Sequence, residues 1–395
     1  MILDEPFPPD PRVENEALTL IDNNFEVFLF CISYSKKKIE NESHKNIHIH
    51  RIYVPEILRK FSALAYTFPI YHLFLKKKIK RFIERYKIDI IHVHDIRIAR
   101  SVFNIKTEKK IVLDLHENRP EIMKFYTWVN KFPGKFLVFP KIWKTFEKKY
   151  IFKSYRTIVV TDYAKRYYSE NFGINMQKFI IVPNTVKTEF YTEFFLKDSI
   201  IKKYEDSFTL LYIGETGKRR GLETVINSLP LLVEQIPKIK FVIVGKSNDD
   251  HYTVEQIKKL KVLEYVDFEG WKDVSLFQSY IKACKIGISP LLRNIHHDTT
   301  YANKIFQYMA IGKPIIVSDC PPQAEIIKKY NCGLIFAAED AKSFSETVLK
   351  MYKDEKLREI MGKNAENAVK KNLNWDLKSK DLLNLYKKAN DEYKK

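Results

Sequence analysis

The chain has 395 residues, of which 45% are hydrophobic and 30% charged, with 68 Lys and Arg against 49 Asp and Glu. Because single hydrophobic cores stop growing below this length, we expect two domains, each with a full core. The four cysteines show no metal-ligand spacing and are too few for a disulfide framework. This excludes a zinc-ribbon or disulfide-stabilised secreted protein and fits a reducing cytosol.

The N-terminus lacks the pattern of an export signal. Residues 1–10 carry acidic side chains and prolines where a signal peptide has a basic start and an apolar run. The longest charge-free apolar stretch nearby, 61–75, is shorter than the ~20 residues that a membrane-spanning helix needs. We therefore predict a cytoplasmic protein in which this stretch is buried or interfacial.

Positive charge is concentrated between residues 51 and 150, which hold 23 Lys and Arg against 9 Asp and Glu. At 76–82 and 124–153 the lysines alternate with aromatic side chains, a mixture typical of proteins that bind anionic membranes at their inner face. Nucleic-acid binding and a simple solvated lysine-rich surface are the alternatives. We predict peripheral membrane contact and no nucleic-acid partner.

Short apolar runs alternate with longer amphipathic stretches along the whole chain. This alternation predicts, in each half, a mostly parallel sheet covered by helices, that is, a doubly wound α/β domain. The predicted strands are 27–31, 88–93, 110–115, 157–160 and 179–182 in the N-terminal half, and 209–213, 240–244, 266–269, 286–289, 314–318 and 333–336 in the C-terminal half.

The same pattern sets the expected domain limits. We predict an N-terminal domain over 1–190 and a C-terminal domain over 205–365, with a linker near 184–206 that has no strand signal. The last segment, 366–395, is charged and helical, and its apolar stripe predicts packing against the N-terminal domain. Because ligands of doubly wound sheets bind at the carboxyl ends of the strands, two such domains predict a cleft with one substrate on each side.

A phosphate site is predicted in 210–229, where a strand is followed by a glycine-containing loop, a basic cluster and a helix. Gly214 and Gly217 let backbone amides approach an anion, and the helix that begins near Leu222 offers its positive end. Gly245 follows the next strand at the same level. The pattern is neither a P-loop nor a dinucleotide fingerprint, and a tight turn with solvated lysines is the alternative. The cations of the basic cluster are Lys218, Arg219 and Arg220.

Residues 303–319, NKIFQYMAIGKPIIVSD, predict a helix, a sharp stop and a buried strand. Gly312 ends the helix and Pro314 prevents its continuation. Lys304 and Gln307 are three residues apart on one helix face, so both point toward whatever binds at the helix start. A surface helix with two ordinary polar residues is the alternative.

These motifs occur in the order of a known family. YIG, RRGLETVINSL, FVIVG, FEGW, ISPL, ANKIFQYMAIGKPIIVSD and NCGLIF together resemble the C-terminal domain of family-four retaining glycosyltransferases with the GT-B fold. The N-terminal half resembles the acceptor domain of that family at 8–31, 89–95, 112–118 and 158–184. The resemblance covers nearly the whole chain.

The resemblance implies two Rossmann-like domains facing across a cleft. It also implies transfer of a sugar from a nucleotide diphosphate to an acceptor hydroxyl, with retention of configuration and without a metal or other cofactor. The acceptor would be a glycan or lipid-linked sugar of cell-surface polysaccharide or lipopolysaccharide synthesis. Arg220 and Lys304 occupy the positions where the family places cations on the diphosphate. The residues implied on the nucleotide-sugar side are Gly214, Gly217, Lys218, Arg219, Gly245, Thr299, Gln307 and Glu325.

The chain departs from the family at several site positions. Gln307 stands where a glutamate usually accepts the ribose hydroxyls, and Thr299 aligns near the first glutamate of that pair, with Asp298 as a nearby substitute. Glu215 replaces the first basic residue of the family's phosphate pair, and we expect Lys218 and Arg219 to compensate.

On the acceptor side, His116 matches a family histidine that reaches the donor sugar near its reacting carbon, and it is our first candidate for a catalytic side chain. A histidine satisfied at a strand end is the alternative. Asp95 and Glu117 are candidate acceptor contacts, whereas His92 is interpreted as structural. Glu325 resembles a loop acid near the donor sugar.

The sequence is compatible with three hypotheses about function. Besides the transferase, a nucleotide-sugar epimerase shares this fold and phosphate chemistry, and the missing glutamates are compatible with a non-catalytic basic membrane-binding module. Only residues 1–3 precede the first loop, so we expect either a truncated opening strand or a start further upstream.

Overall fold

A computed structural model describes residues 1–36, 40–132, 134–187, 190 and 194–394. The chain forms two compact units, the first made of residues 1–183 and 378–395 and the second of residues 184–377. Part of the predicted linker, 188–189 and 191–193, and Pro133 of the basic segment lie outside the described residues.

The limits of the two units differ from the predicted domain limits at residues 190, 205 and 365. Residues from 184 onward belong to the second unit, where the backbone N–H of Trp375 donates to the carbonyl of Val186 at 2.8 Å. Helix 355–371 packs against helix 303–310 of the same unit, so this unit continues to residue 377.

The first unit contains parallel strands covered by helices. The strand orders are β1-β3-β2 and β4-β5-β6-β7, in which all pairs are parallel except β2 with β3. The strands are β1 (Phe28–Ser33), β2 (Asn41–His44), β3 (Ile47–Tyr53), β4 (Ile90–His94), β5 (Lys110–Asp114), β6 (Arg156–Val159) and β7 (Phe179–Ile181).

Residues 1–3 join these two groups of strands. Ile2 pairs in parallel with Phe30 of β1 and with Val93 of β4. Its N–H donates to the carbonyl of His92 at 2.7 Å, and its carbonyl accepts from the N–H of His94 at 3.0 Å. A very short opening strand therefore suffices to align β1 and β4 in one surface.

The second unit is a six-stranded sheet of order β10-β9-β8-β11-β12-β13, in which every pair is parallel. Alternate residues of β8 enter different core clusters: Leu210 and Tyr212 pack on one face, Leu211 and Ile213 on the other. Both faces are thus buried, as a doubly wound sheet requires. The strands are β8 (Phe208–Ile213), β9 (Ile239–Val244), β10 (Val266–Gly270), β11 (Ile286–Ser289), β12 (Ile315–Ser318) and β13 (Gly333–Phe336).

The helices lie between the strands, and their ends carry the expected capping chemistry. Asp10 accepts from the N–H groups of Arg12 and Val13 at the start of the first helix, where Pro11 lacks an N–H to lose. Up to the end of the first unit's main segment they are α1 (Pro11–Ile21), α2 (Glu56–Ser62), α3 (Ile70–Arg85), α4 (Ile96–Phe103), α5 (Arg119–Ile122), α6 (Thr127–Asn130), α7 (Gly134–Leu137), α8 (Pro140–Lys153) and α9 (Asp162–Phe172).

The remaining helices cover the second sheet, except for the last, which returns to the first unit. The hydroxyl of Tyr386 on that last helix lies 2.8 Å from Nδ1 of His92, and the ammonium of Lys110 donates to the carbonyl of Ala389 at 2.9 Å. These helices are α10 (Asp198–Tyr204), α11 (Leu222–Val233), α12 (Asp250–Lys259), α13 (Phe277–Ala283), α14 (Asn303–Ala310), α15 (Pro321–Tyr330), α16 (Ala341–Lys353), α17 (Glu355–Lys371), α18 (Trp375–Lys378) and α19 (Lys380–Lys394).

The predicted doubly wound α/β architecture is confirmed, and each of the eleven predicted strands is present within two residues of its expected limits. β2 and β3 were not predicted. NESH in β2 has no apolar residue, whereas the alternation IHIHRIY in β3 was overlooked. Among the described residues, no helix combines the length and the apolar composition needed to cross a membrane.

Candidate functional site

In the second unit, the predicted phosphate loop lies at the carboxyl ends of β8 and β9. Gly214 follows β8 with a φ of +127°, a conformation that side chains rarely adopt, and Gly245 follows β9. A Cβ at Gly245 would lie 1.8 Å from the carbonyl oxygen of Gly214, so only glycine lets the two strand ends approach this closely. Helix α11 begins after Gly221, as predicted.

Lys304 extends from α14 to this same strand end. A Cβ at Gly214 would lie 3.5 Å from Nζ of Lys304, and that Nζ lies 3.7 Å from the ring centroid of Tyr212. Lys304 is 8% exposed, and no carboxylate contacts its ammonium within the part of the chain that the structure describes. Burial lowers the pKa of Lys304 well below its usual range, and Arg220 and Arg219 lower it further. An anion bound here would be the negatively charged partner that the ammonium of Lys304 lacks, and it would favour the charged form.

Glu215 sits between the two arginines of the loop. Its Oε2 accepts from Nη2 of Arg219 at 2.9 Å and from Nε of Arg220 at 2.8 Å. Burial raises the pKa of this carboxyl, but Arg220 and Arg219 outweigh burial and lower it below its ordinary value. Glu215 replaces a basic residue of the family, but it also positions both guanidinium groups beside the end of β8.

Lys218 has a different neighbour from the one expected. Its Nζ lies 3.9 Å from the ring centroid of Tyr252, while Arg219 and Arg220 share Glu215. With Gly217 and Tyr252, Lys218 lines a cavity of about 350 Å³ between the loop and α12. The expectation that Lys218 compensates for Glu215 is thus not supported by its contacts, whereas Arg219 pairs directly with Glu215.

Gln307, Thr299 and Asp298 were predicted near Lys304 on the nucleotide-sugar side, and each has a different environment. Gln307 lies on the same helix and is half-buried. The hydroxyl of Thr299 donates to the carbonyl of Ile295 at 2.7 Å, so it closes a turn of its own segment. Asp298 is held by Arg293 through two bonds of 2.8 and 3.0 Å.

Glu325 was predicted in a loop, and this was wrong. It is an exposed residue inside α15, because Pro321 and Pro322 start that helix directly after Cys320. Gln323 in the same helix is buried and donates to the carbonyls of Ser289 and Ser318 at 3.1 and 3.0 Å, which fixes α15 on two strand ends.

In the first unit, Asp114 and His116 form the centre of the second group of site residues. Asp114 ends β5, and its Oδ2 lies 3.0 Å from Nε2 of His116. Burial lowers the pKa of His116, but the Asp114 carboxylate outweighs burial and raises it above its ordinary value. The side chain of His116 is 22% exposed, so a ligand can reach this imidazole, whose charged form Asp114 favours.

Arg12 pairs with Asp114 from α1. Nε and Nη2 of Arg12 donate to the two Asp114 oxygens at 2.8 and 2.7 Å. Burial raises the pKa of the Asp114 carboxyl, but Arg12 and His116 outweigh it and hold the pKa well below its usual range. Asp114 therefore stays ionised beside His116.

Three further buried groups complete this network. Glu16 lies 3.5 Å from Nε2 of His92, whose ring stacks on that of His94 at 4.3 Å. Burial and Asp114 raise the pKa of Glu16 to about 8, and burial lowers the pKa of His94 to about 4. Burial also places the pKa of His92 well below its usual range.

The ligand atoms of Glu16, His92, His94 and Asp114 lie within 4.8 Å of one another, close enough for a metal ion. Arg12, however, already contacts both carboxylates, at 3.0 Å from Glu16 and 2.7 Å from Asp114. Since this guanidinium supplies the compensating positive charge, we assign the group to a hydrogen-bonded network rather than to a metal centre.

The predicted acceptor contacts are joined by a residue that was not predicted. Arg119 pairs with Asp95 and lies 3.2 Å from Glu117. Asp95 also accepts from the N–H of Ile96 at 2.7 Å and has a φ of +71°. Asp95 is thus buried and fully engaged, while Glu117 keeps a quarter of its side chain exposed.

The structure brings the predicted residues together as two groups, one in each unit. Around Gly214 it collects Arg219, Arg220, Gly245 and Lys304; around His116 it collects Asp95, Glu117 and the unpredicted charged residues. Several residues of the two groups were not predicted from the sequence. Of these, only His94 had a sequence signal, the alternation HVH in β4. The missed residues are Arg12, Glu16, His94, Asp114, Arg119 and Tyr212.

Comparison with known proteins gives a consistent result for both units. The family model described as "Glycosyltransferase Family 4" matches residues 12–190, and "Glycosyl transferases group 1" matches residues 195–368. An uncharacterized glycosyltransferase of Methanocaldococcus jannaschii is 23% identical over 389 residues, covering 95% of this chain and 90% of that protein. The phosphatidyl-myo-inositol mannosyltransferase of Mycolicibacterium smegmatis is 22% identical, covering 78% of this chain and 74% of that protein.

Solved structures agree at the level of the fold. Sucrose-phosphate synthase from Thermosynechococcus elongatus superposes with a TM-score of 0.78 at 15% identity, covering 98% of this chain and 94% of that one. The Anabaena protein HepE in complex with UDP-glucose superposes with a TM-score of 0.70 at 12% identity, covering 98% of each chain. Glycosyltransferases of this architecture have the GT-B fold.

Proposed function

The chain belongs to the group 1 glycosyltransferases and has the GT-B fold, and from this premise we propose that it moves a sugar from a nucleotide diphosphate to an acceptor hydroxyl with retention of configuration. The observation that carries this proposal is the position of Lys304, Arg220 and Arg219 around the glycine-lined end of β8.

The chemistry of this position favours a diphosphate leaving group. Breaking the bond between sugar and diphosphate places negative charge on the phosphate oxygens while positive charge develops on the sugar. Arg220 and Lys304 would neutralise the departing diphosphate, and the N-terminus of α11 would add amide donors. Since these cations supply the charge, we propose that transfer requires no divalent metal.

Lys304 is suited to this role because its own surroundings disfavour its charge. A buried ammonium beside two guanidinium groups is destabilised in the free protein, and a diphosphate removes that penalty when it binds. Part of the binding energy of the donor therefore comes from the contact between Lys304 and the diphosphate, which is the leaving group.

His116 is proposed to contact the donor sugar near the reacting carbon, as the family resemblance implies. Asp114 favours the charged imidazole, and its Oδ2 lies 3.0 Å from Nε2 of that ring. Nδ1 on the other side of the ring would then donate to a sugar hydroxyl. Asp114 acts through His116 and is a positioning residue.

The acceptor is proposed to be a glycan or a lipid-linked sugar, at the cytoplasmic face of a membrane. The M. smegmatis relative is named for mannosyl transfer to phosphatidyl-myo-inositol, and the Anabaena structure holds UDP-glucose. Glu117, partly exposed beside Arg119, is the proposed acceptor contact in the first unit.

The test is transfer of labelled sugar from UDP-, GDP-, ADP- and TDP-linked donors to a membrane lipid and glycan extract. We expect Arg220→Ala and Lys304→Ala to fold and to lose at least about 100-fold in kcat, as when a donor to a developing anion is removed. Lys329→Ala, an exposed lysine on α15, is the matched control. Undiminished turnover by both site variants would defeat the proposed site.

The configuration of the product and the alternative activity are measured in the same assay. The anomeric proton coupling of the product shows whether configuration is retained. Incubation with labelled donor alone separates the transferase from a nucleotide-sugar epimerase, because only the epimerase converts the donor without an acceptor.

A further inference from the structure

We propose that one face of the first unit docks onto an anionic lipid bilayer. This face, which we call the lysine–aromatic face, consists of residues 66–81, 124–132 and 134–141. Its presence near a lipid-linked acceptor rests on the proposed function, whereas the docking itself rests on the contacts and charges of these two segments.

The two segments are neighbours in space. The hydroxyl of Thr67 donates to the carbonyl of Leu137 at 2.9 Å, which joins the turn before α3 to the end of α7. Tyr66 packs against Trp143 with ring centroids 4.7 Å apart, and its hydroxyl donates to the carbonyl of Ile96 at 2.6 Å. Both segments are therefore anchored on the core of the unit by their inner side.

Their outer side is apolar to an unusual degree. Phe132 is 85% exposed and Phe136 is 66% exposed, and their rings lie 6.4 Å apart. A contiguous group of large exposed apolar side chains is uncommon on a protein that stays in water and marks an interaction surface. The further exposed members are Phe68, Ile70, Leu73, Phe125, Trp128 and Phe139.

The charge of the face has one sign. Neither 66–81 nor 124–141 contains an aspartate or a glutamate, while the two segments together contain nine lysines and arginines. Lys131, Lys135 and Lys141 are exposed, and none of them forms an ion pair with another described residue. Lysines without an acidic partner beside exposed aromatic rings match an anionic partner that also has an apolar interior.

Helix α3 shows the same order along its outer face. Ile70, Leu73 and Lys77 are spaced three and four residues apart and are all exposed, so this face is apolar at the start of α3, next to Thr67, and basic further along. Lysine stems can lie along an apolar boundary while their ammonium groups reach the phosphates.

A bilayer fits these observations better than the other two occupants do. A second copy of the chain would bring the same uncompensated lysines to the contact, and like charges oppose such a pair. A nucleic acid would pair with the lysines but would leave Ile70 and Leu73 in water. An anionic leaflet offers phosphates to the lysines and its interfacial region to the aromatic and aliphatic side chains.

Vesicle flotation of the full-length protein tests the proposal. We expect binding to phosphatidylcholine vesicles that contain about 30% phosphatidylglycerol, weaker binding to pure phosphatidylcholine, and loss of binding at high salt. Phe132→Ser with Phe136→Ser, or Lys131→Gln with Lys135→Gln, should each weaken binding at least about tenfold, because each pair removes one of the two attractions.

The matched control is Phe152→Ser. Phe152 is 72% exposed at the far end of α8, about 16 Å along that helix from the face. Equal loss of binding in this variant, or equal binding to neutral and anionic vesicles, would overturn the proposal. So would a dimer of the wild type that the phenylalanine pair dissolves, or displacement from vesicles by single-stranded RNA at equal charge.

Failure of docking is distinguishable from failure of the proposed function. Thermal stabilisation by nucleotide sugars reports on the second unit alone and should be unchanged in both double variants of the face. Docking without any nucleotide-sugar binding would defeat the transferase proposal only, and donor binding without vesicle binding would defeat the docking proposal only.

Discussion

The carboxylate of Asp114 lies 3.0 Å from Nε2 of His116, two residues further along the chain. The two residues flank the end of β5, so Leu115 points into the core between them. Arg12 holds Asp114 ionised from the other side. A buried ion pair thus favours the charged form of a partly exposed imidazole at the edge of the sheet.

The first prediction concerns the pKa of His116. In the wild type we expect this pKa above the ordinary value of 6.5, because Asp114 favours the charged ring. Asp114→Asn removes that charge, and burial should then lower the pKa below 6.5. Titration of the His116 ring protons by NMR measures both values.

The matched control for this experiment is Asp89→Asn, a mostly exposed carboxylate near Lys109. If Asp114→Asn fails to fold because Arg12 loses its partner, the wild-type titration alone decides. A wild-type pKa of His116 below 6.5 would contradict the assignment.

The second prediction is proton uptake on donor binding. Lys304 has a pKa well below its usual range, so we expect its amine to be neutral in a fraction of the free protein molecules. A bound diphosphate favours the charged form of this amine. Calorimetric titration with a nucleoside diphosphate at about pH 8, in buffers of different ionisation enthalpy, should show protons entering the complex. Lys304→Met should remove the uptake, and uptake that persists in this variant would assign it to another group.

The third prediction concerns the absent carboxylate on α14. The amide of Gln307 offers one acceptor to a ribose hydroxyl, whereas a glutamate would make a charge-assisted bond stronger by about 1 kcal/mol. Gln307→Glu should therefore tighten nucleotide binding about fivefold, and Gln307→Ala should weaken it. Dissociation constants that do not change in either variant would show that Gln307 lies outside the donor site.

The fourth prediction concerns stability and pH. The folded protein holds a proton on Glu16 up to about pH 8, whereas the unfolded chain releases it near 4.5. The free energy of unfolding therefore falls as pH rises between these values, by on the order of 2 kcal/mol between pH 6 and 8. Glu16→Gln keeps a neutral side chain and should remove this decline. Urea denaturation at both pH values measures it, and equal slopes in both proteins would contradict the assignment.

The fifth prediction is that transfer does not depend on a divalent cation. Arg220 and Lys304 supply the positive charge at the proposed diphosphate, so EDTA should leave the rate within about twofold. Loss of transfer with EDTA, restored by Mg²⁺ or Mn²⁺, would contradict this part of the proposal.

The sequence predicted the fold well because apolar runs and glycine positions encode it locally. β8, β11 and β12 are wholly buried runs, and Gly312, where the helix stops, has the positive φ that the pattern implied. The pairing of β2 with β3 depends on contacts across a turn, and the charged segment of β2 carries no local signal for it.

The site was predicted less completely, because its charge pairs join residues far apart in the chain. Arg12 and Asp114 are separated by 102 positions and Asp95 and Arg119 by 24, so no local motif reveals either pair. Glu215 was interpreted as a lost cation, yet it organises Arg219 and Arg220. Composition could show the surplus of lysine between 51 and 150 but not which lysines lack a carboxylate partner.

The most direct measurement is a thermal-shift screen of the wild type and Lys304→Ala with UDP-, GDP-, ADP- and TDP-sugars. The account predicts that at least one nucleotide sugar raises the wild-type Tm by several degrees, and that Lys304→Ala loses this shift while it keeps its own Tm without ligand. If no nucleotide sugar stabilises the wild type, or if Lys304→Ala is stabilised equally, the end of β8 is not the donor site.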